Sequence, residues 1–431
     1  MAQRRLAIYV ILILALVGGF LSGRAFFYNI TCVFGGILIA SLVFSWASIN
    51  WLNIGRHTLV RRAQVGQYFE ENFAVRNKSI IPKLWLEIRD HSDLPGHNSS
   101  QVVPFMTPSS TYRWKVGTLC VRRGQFTLGP MTVTSGDPFG FYIFPRHIGA
   151  TSSIIVYPIT VPIYDFATPT GALSGGQAIR RRTFEITPNA AGIREYAPGD
   201  SLNRIHWKST ARRGKLLVKE FEEDPLGDVW IILDLSKASL VERPSVATWG
   251  ASDLAYSRGI PLPPSTEEYA IAAAGSIAQF FVEKGRSVGF LSYTPHRDYV
   301  APDRGDRQLT DILEVLAVAK SETQLTLLQL LSMEAQHLTR GTTLVLITAS
   351  LDTSWAALAH VQVRRGLSVI AVMIDPTSFG VYGPNFEGAR QQVEAAGVTV
   401  YPLRQEDDLT ATLSYRPGTN GKSYANTKFH S

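Results

Sequence analysis

The sequence predicts three parts in series: two transmembrane helices, then a β-sandwich, then an α/β doubly wound domain. Three observations predict them. Two uncharged apolar stretches stand near the start, residues 6–22 and 29–49. Short runs of period-two alternation come next, up to residue 157. From residue 229 onward, apolar runs of strand length alternate with helical stretches.

The apolar stretches come first. Each approaches the ~20 residues that cross about 30 Å of hydrocarbon at about 1.5 Å per residue. The connection, residues 23–28, is so short that the pair must form a hairpin, placed at residues 1–55. A signal peptide is the rival reading of the first stretch, given Arg4 and Arg5 before it, but a cleaved signal would leave a second span close behind. Positive charge stays on the cytoplasmic side. Arg4, Arg5, Arg56, Arg61 and Arg62 flank the hairpin on one side and only Arg24 sits in its loop, so both termini are expected in the cytoplasm, beneath a cell membrane. Trp46 and Trp51 lie where an interfacial aromatic belt is expected.

The β part is placed at residues 56–176. Candidate strands are 68–75, 83–89, 111–121, 126–134 and 141–144, separated by turn signals such as Leu94-Pro95-Gly96, Arg123-Gly124 and Gly136-Asp137-Pro138. Short strands at this spacing read as a small sandwich. Asp137-Pro138-Phe139-Gly140 reads as a tight turn with a buried Phe139. Residues 158–176, rich in Pro, Thr, Gly and Ala, read as a linker or long loop.

A charged segment occupies residues 177–225, and the α/β domain residues 226–410. Strands are expected at 229–234, 287–293, 343–348, 367–374 and 398–401. Helices are expected at 266–284, 307–319, 323–338, 354–364 and 385–396, the first opened by a capping pair, Ser265 and Glu268. Near-continuous apolar strands between helices imply a parallel sheet covered on both faces. Residues 241–264, with four prolines, read as a loop insertion, and residues 411–431 as a disordered tail.

Composition narrows the function classes. The chain has 431 residues, 45% hydrophobic and 18% charged, which suits folded protein in two or three units. Its net charge of +7 suits a protein beside anionic lipid, and no Lys/Arg run interleaved with aromatics marks a nucleic-acid site. The cysteines, Cys32 and Cys120, fall in an apolar helix and a strand, so no disulfide framework is expected. There is no His-Glu-x-x-His, Gly-x-Ser-x-Gly or paired Cys-x-x-Cys. The stretch Gly418-Thr419-Asn420-Gly421-Lys422-Ser423 imitates a P-loop, but the required first glycine position holds Arg416.

Three features combine into a resemblance. The first is Arg122-Arg123-Gly124-Gln125-Phe126 leading to Asp137-Pro138-Phe139-Gly140. The second is a long motif: Gly192-Ile193-Arg194-Glu195-Tyr196, then Gly199-Asp200, Asn203-Arg204-Ile205-His206-Trp207-Lys208, Ala211-Arg212, and Leu217-Val218-Lys219-Glu220-Phe221-Glu222. The third is the strand ending in Asp234. Together they resemble the bacterial and archaeal family known as domain of unknown function number fifty-eight. The resemblance covers nearly the whole chain. It implies a von Willebrand factor A-like C-terminal half, and a gene neighbourhood with AAA ATPases of the MoxR type.

A von Willebrand A domain can hold Mg²⁺ through Asp-x-Ser-x-Ser at the end of its first strand, where hard oxygens meet in a crevice. The matching positions are Asp234 and Ser236, but the third is Ala238, so any Mg²⁺ site is degenerate and no cofactor is expected. The alternative is that Asp234 caps nearby backbone amides. The charged segment supplies candidate docking residues: Arg194, Tyr196, Gly199, Asp200, Arg204, Trp207, Lys208, Arg212 and Lys219. They read either as an ion-pair lattice between domains, with Trp207 as packing anchor, or as a surface that binds a protein partner. Gly199-Asp200 is expected to start a helix that brings Arg204 and Trp207 onto one face. His206, without ligand neighbours at metal spacing, reads as a surface or packing histidine. The leading functional reading is therefore a membrane-anchored binding or adaptor protein rather than an enzyme, working with a MoxR-type ATPase in assembly or maturation of a membrane or envelope complex. The alternative is a metal-dependent hydrolase centred on Asp234.

Overall fold

The computed structural model describes residues 2–167, 190–197, 205–221, 227–242, 262–381 and 385–414; for 2–5, 190–194 and 219–221 only the backbone is described. The chain divides into two compact units, one built on residues 1–158 and one on 159–247 with 262–431.

The first unit opens with two helices, α1 (Ala2–Ser22) and α2 (Ala25–Ile49). Ala25–Ile49 is long and apolar enough to cross a membrane; Leu6–Ser22 is apolar but shorter. Gly23, at φ 64°, makes the turn between them. The α2 helix runs almost directly into a strand, β1 (Leu52–Thr58), so helix and β layers are joined by only Asn50 and Trp51.

Three small sheets come after the helices. The first orders β1, β3 (Tyr68–Asn77) and β6 (Thr111–Leu119), all antiparallel. The second orders β5 (Gln101–Val103), β4 (Leu86–Asp90), β8 (Met131–Gly136) and β9 (Ile143–Ile148). The third orders β2 (Arg62–Gln64), β10 (Ser152–Tyr157) and β7 (Gly124–Leu128). Alternation explains the packing: Phe69, Phe73 and Val75 of β3 all point inward. Phe73 and Val75 meet Leu86, Ile88 and Val133 of the second sheet in one core, and Phe69 meets Leu128, Ile154 and Val156 in another.

One inward position of β3 is not apolar. Glu71 is wholly buried and is held by Arg56 of β1, Nε to Oε1 at 2.9 Å. The same guanidinium reaches Asp90 Oδ2 at 2.6 Å, and His97 Nε2 lies 3.0 Å from that oxygen. Arg56, a membrane flank by its place in the sequence, is thus an internal ion-pair partner, while Arg61 and Arg62 are exposed.

The second unit begins at residue 159. Residues 159–167 form neither helix nor strand, yet they are no free linker. Phe166 is fully buried and stacks on Tyr401 at 4.6 Å, and the Ala167 amide donates to the Tyr401 hydroxyl at 2.8 Å. The hairpin of β11 (Ala190–Glu195) and β12 (Leu217–Phe221) encloses α3 (Trp207–Arg213).

A six-stranded sheet forms the core, in the order β15 (Arg297–Asp303), β14 (Val288–Tyr293), β13 (Val229–Leu233), β16 (Thr343–Thr348), β17 (Ser368–Ile374) and β18 (Thr399–Leu403). All neighbours are parallel except the β14–β15 pair. One face carries α4 (Thr266–Glu283), backed by α5 (Asp306–Val318). The other face packs on α6 (Leu327–Glu334), α7 (Trp355–Arg364) and α8 (Phe386–Ala395). The Ala-rich run in α4 permits this close approach: Ala270, Ala273, Ala274 and Ala278 are all buried.

Three expectations need correction. Ser265 stands at the N-cap of α4 but makes no capping hydrogen bond; the reciprocal box joins Thr326 and Gln329 at α6 instead. Residues 411–413 belong to a helix, α9 (Leu409–Leu413), capped by Asp408 and anchored by buried Leu413, so the domain runs past 410. The edge strand β15 has no counterpart among the expected strands, because its exposed polar alternation lacks a buried apolar run. The P-loop imitation at 418–423 lies outside the described residues.

Candidate functional site

The parallel strands β13 and β16 lie side by side, so their C-terminal ends open at the same level. Asp234 comes directly after β13, and Thr348 ends β16. The Asp234 carboxylate is buried and fully engaged: the Ser236 amide donates to Oδ1 at 3.0 Å and the Thr348 hydroxyl to Oδ2 at 2.6 Å. Burial pushes the Asp234 carboxyl above its ordinary range, and the bonds from Thr348 and Ser236 offset this only in part.

Ala238 brings no oxygen, but a single 3₁₀ turn, Lys237–Ser239, brings Ser239 instead. The Ser236 hydroxyl donates to Ser239 Oγ at 3.2 Å, and Ser239 donates back to the Ser236 carbonyl at 2.8 Å. The strand end therefore offers one carboxylate and the hydroxyls of Ser236, Ser239 and Thr348. Hydroxyls are suitable Mg²⁺ ligands, but Mg²⁺ seeks about six oxygens, usually with carboxylate charge. The carboxylate here is single, buried and already bonded on both oxygens. Among the described residues no group of three His, Cys, Asp or Glu is placed to hold a metal ion. Asp352, the next acid along, accepts from the amide and hydroxyl of Ser354, at 2.9 and 2.8 Å, and so caps a turn before α7. The donor set does not fit a tightly held divalent ion.

The docking candidates are distributed differently from expectation. Gly199, Asp200 and Arg204 lie outside the described residues. Arg194 pairs with Val218 and Lys219 with Ile193 in the β11–β12 ladder. Ile205 and His206 are not helical, so no helix runs through them into Trp207. Ile205 is buried and bridges Val218, the His206 amide donates to the Leu217 carbonyl at 2.8 Å, and α3 starts only at Trp207. The strand bridge at Ile205 thus separates α3 from whatever precedes it, and the expected pairing of Arg204 with Trp207 lies outside the described residues.

His206 is the N-cap of α3: its Nδ1 accepts from the Ser209 amide at 3.2 Å and lies 2.8 Å from the Ser209 hydroxyl. Trp207 is 67% exposed, and Lys208, Arg212 and Arg213 of the same helix are exposed too. Tyr196 is half-buried, its amide bonded to the Leu216 carbonyl. Lys215 and Glu195 form an exposed pair at 3.0 Å. No buried ion-pair lattice is present among the described residues of this segment.

The structure also holds a feature that the sequence did not announce. A cleft of about 340 Å³ lies against the edge of the sheet, lined by Trp230, Tyr299, Arg297, Glu334 and His337 among others. Trp230 and Tyr299 lie 5.5 Å apart, and the Arg297 guanidinium sits 4.5 Å from the Tyr299 ring centre. Glu334 of α6 holds Arg297 at 2.8 Å. The available signal was Trp230 in an otherwise aliphatic strand, and the alternation of Arg297 and Tyr299 with Asp298 and Val300.

Comparison with known proteins completes the description. Among curated proteins, the chain is 22% identical over 222 residues to the Uncharacterized protein YeaD of Bacillus subtilis (strain 168). That match covers 51% of this chain and 48% of YeaD, so the chain spans about half the length of the relative it matches. Among solved structures, the CARDB domain of the PF1109 protein from Pyrococcus furiosus is 13% identical with a TM-score of 0.20, covering 24% of this chain and 91% of that domain. A β-glucosidase from Listeria innocua gives 7% and 0.16, covering 24% of this chain and 16% of that one. Structural likenesses at this level carry no argument. Residues 192–378, which run from the β11 hairpin through the Asp234 strand end to the turn after β17, match the family described as Protein of unknown function DUF58.

Proposed function

We propose that this chain is a membrane-anchored binding or adaptor protein whose cytoplasmic body engages a protein partner through the α3 surface. The observation that carries the reading is Trp207. An indole 67% exposed on a helix with Lys208, Arg212 and Arg213 is costly to leave in water and has the composition of an interface anchor. A MoxR-type AAA ATPase is the partner class that the family resemblance implies, and assembly or maturation of a membrane or envelope complex is the process. The sheet order, with one antiparallel edge strand and Asp234 at the end of a central strand, supports a von Willebrand A-like reading of this half.

Two spans with both termini in the cytoplasm are the placement that the flanking arginines support, of which Arg61 and Arg62 are exposed beyond α2. The hydrolase alternative, centred on Asp234, has less support. The hydrogen-bond partners of that carboxylate are Ser236 and Thr348, neither of them a general base.

Capture from membranes tests the reading. The tagged full chain, with ATP and Mg²⁺, should retain an AAA ATPase that Trp207→Ala does not retain. Equal capture by both proteins would remove α3 as the docking surface. A C-terminal alkaline phosphatase fusion that is active would overturn the cytoplasmic placement.

A further inference from the structure

The pattern of the turn at residues 137–142 leads one to expect a buried Phe139. The turn does the reverse: Phe139 is 57% exposed and stacks on Phe141 at 5.6 Å. The buried Asp137 carboxylate accepts from the Phe139 amide at 2.9 Å and from the Tyr142 amide at 2.6 Å, which closes the loop around itself.

The turn is hydrogen-bonded to the helices. Ser45 of α2 donates to the Tyr142 carbonyl at 2.8 Å, and the Tyr142 hydroxyl lies 2.9 Å from that of Tyr9 in α1. Ser41, Ser45 and Ser48 share one face of α2 and are all buried. That face of α2 is therefore covered by protein, and the turn is anchored a full helical turn before the end of α2 at Ile49. By the rise of an α-helix, Ser45 lies roughly 6 Å inside that end.

Other exposed apolar groups gather at the same end. Trp46 and Trp51 are each about half exposed and meet edge to face at 5.4 Å. Ile80 is 89% exposed, at the tip of a loop clasped to the helix end by the Lys78 amide on the Trp51 carbonyl at 2.9 Å. Indoles at this position mark the lipid–water boundary of a spanning helix. Continuity with α2 identifies what covers the apolar tip beside them.

We propose that Phe139 and the 137–142 turn insert into the interfacial zone of the lipid bilayer beside α2, as a membrane contact separate from the helices. The inference rests on the reading of α2 as a span. It makes the β-unit a body held against the bilayer surface rather than one hung from it on a tether, since only Asn50 and Trp51 separate α2 from β1.

The test uses the full chain in phosphatidylcholine–phosphatidylglycerol vesicles, with an environment-sensitive fluorophore on a single cysteine. Native Cys32, exposed within α2, reports the span. Phe139→Cys in a Cys32→Ser background reports the turn, and Tyr68→Cys in that background is the comparison site, being 67% exposed on β3. Cys120 is buried and stays unlabelled. Lipids carrying a spin label high on the acyl chain should at least halve the emission from residue 139 and leave residue 68 little changed. Deep spin labels should quench Cys32 more strongly than residue 139. Quenching at Cys32 with none at residue 139 would overturn the inserted turn and leave the span standing. No quenching at either site would overturn the span and the inserted turn together. Matching melting profiles for the labelled variants show that the substitutions leave the fold intact.

Discussion

Thr348 donates its hydroxyl to Asp234 Oδ2 at 2.6 Å across the ends of two neighbouring parallel strands. The bond ties the end of β13 to the end of β16 at the place where a doubly wound sheet usually opens its crevice. It also decides what a substitution there does. Asp234→Asn keeps an acceptor for the Ser236 amide and lets the Thr348 hydroxyl turn to accept, so stability should stay within about 0.5 kcal/mol or rise, because a buried carboxylate is removed. Asp234→Ala leaves the Ser236 amide and the Thr348 hydroxyl unpaired and should cost about 1–3 kcal/mol. Thermal melts of the two variants check this, and an alanine variant as stable as the asparagine one would contradict it.

The same geometry bears on metal. Calorimetry with Mg²⁺ at neutral pH should show no saturable site tighter than about 1 mM, the weak end of oxygen-ligand affinities. Micromolar binding abolished by Asp234→Ala would restore the hydrolase reading.

The Arg56 network should dominate the acid stability of the β-unit. Arg56, Glu71, Asp90 and His97 are all buried, and Arg56→Ala would strand two carboxylates, at a cost of about 3–5 kcal/mol. Burial alone would raise the Asp90 carboxyl, but hydrogen bonds from His97, Ser99 and Ser92 and the charge of Arg56 together hold it far below its ordinary 3.8. A carboxyl depressed by folding stabilises the fold above its unfolded value and loses that contribution as pH falls through its folded value. Wild type should therefore lose stability steadily below pH 3.8, and Asp90→Asn should show a shallower acid slope from a lower starting point.

Lys83 gives a dependence of the opposite kind. Its ammonium is buried against the end of α2, donating to the Ala47 carbonyl at 2.5 Å and to the Asn50 carbonyl at 3.3 Å. Burial lowers it from 10.5 to about 8. Between those values the folded chain holds fewer protons than the unfolded chain, so stability should rise with pH from about 8 to 10.5 and be level beyond. Lys83→Met should abolish the rise. A melt of the full chain in detergent across this range reads both.

Trp207→Ala separates the two roles weighed for its segment. At 67% exposure the indole supports little packing, so the melting midpoint should hardly move, within about 0.5 kcal/mol. Loss of an interface anchor typically costs about 2 kcal/mol or more, roughly thirtyfold in affinity. A midpoint lowered by several degrees would instead indicate an internal packing anchor.

Much of the molecule is legible in its sequence. The apolar helices, the alternation of β3, and the buried strands β13, β16 and β17 announce themselves, because each depends on a pattern of neighbours along the chain. So does the arrival of Asp234 at a strand end. Features set by contacts between distant segments leave no such pattern. The alternation of residues 83–89 places Lys83 opposite Leu86 and Ile88, yet Lys83 is wholly buried, because the carbonyls at the end of α2 meet it there. Ser239 replaces Ala238 in the strand-end cluster because a tight turn shifts the hydroxyl by one residue. Phe139 faces outward because Asp137 uses its carboxylate to close the turn, and Trp207 because Ile205 takes the buried place in the hairpin. A sequence records which side chains avoid water and with what period. Which partner satisfies each buried charge, and which apolar group is left outside, is decided only when distant segments compete for the same space.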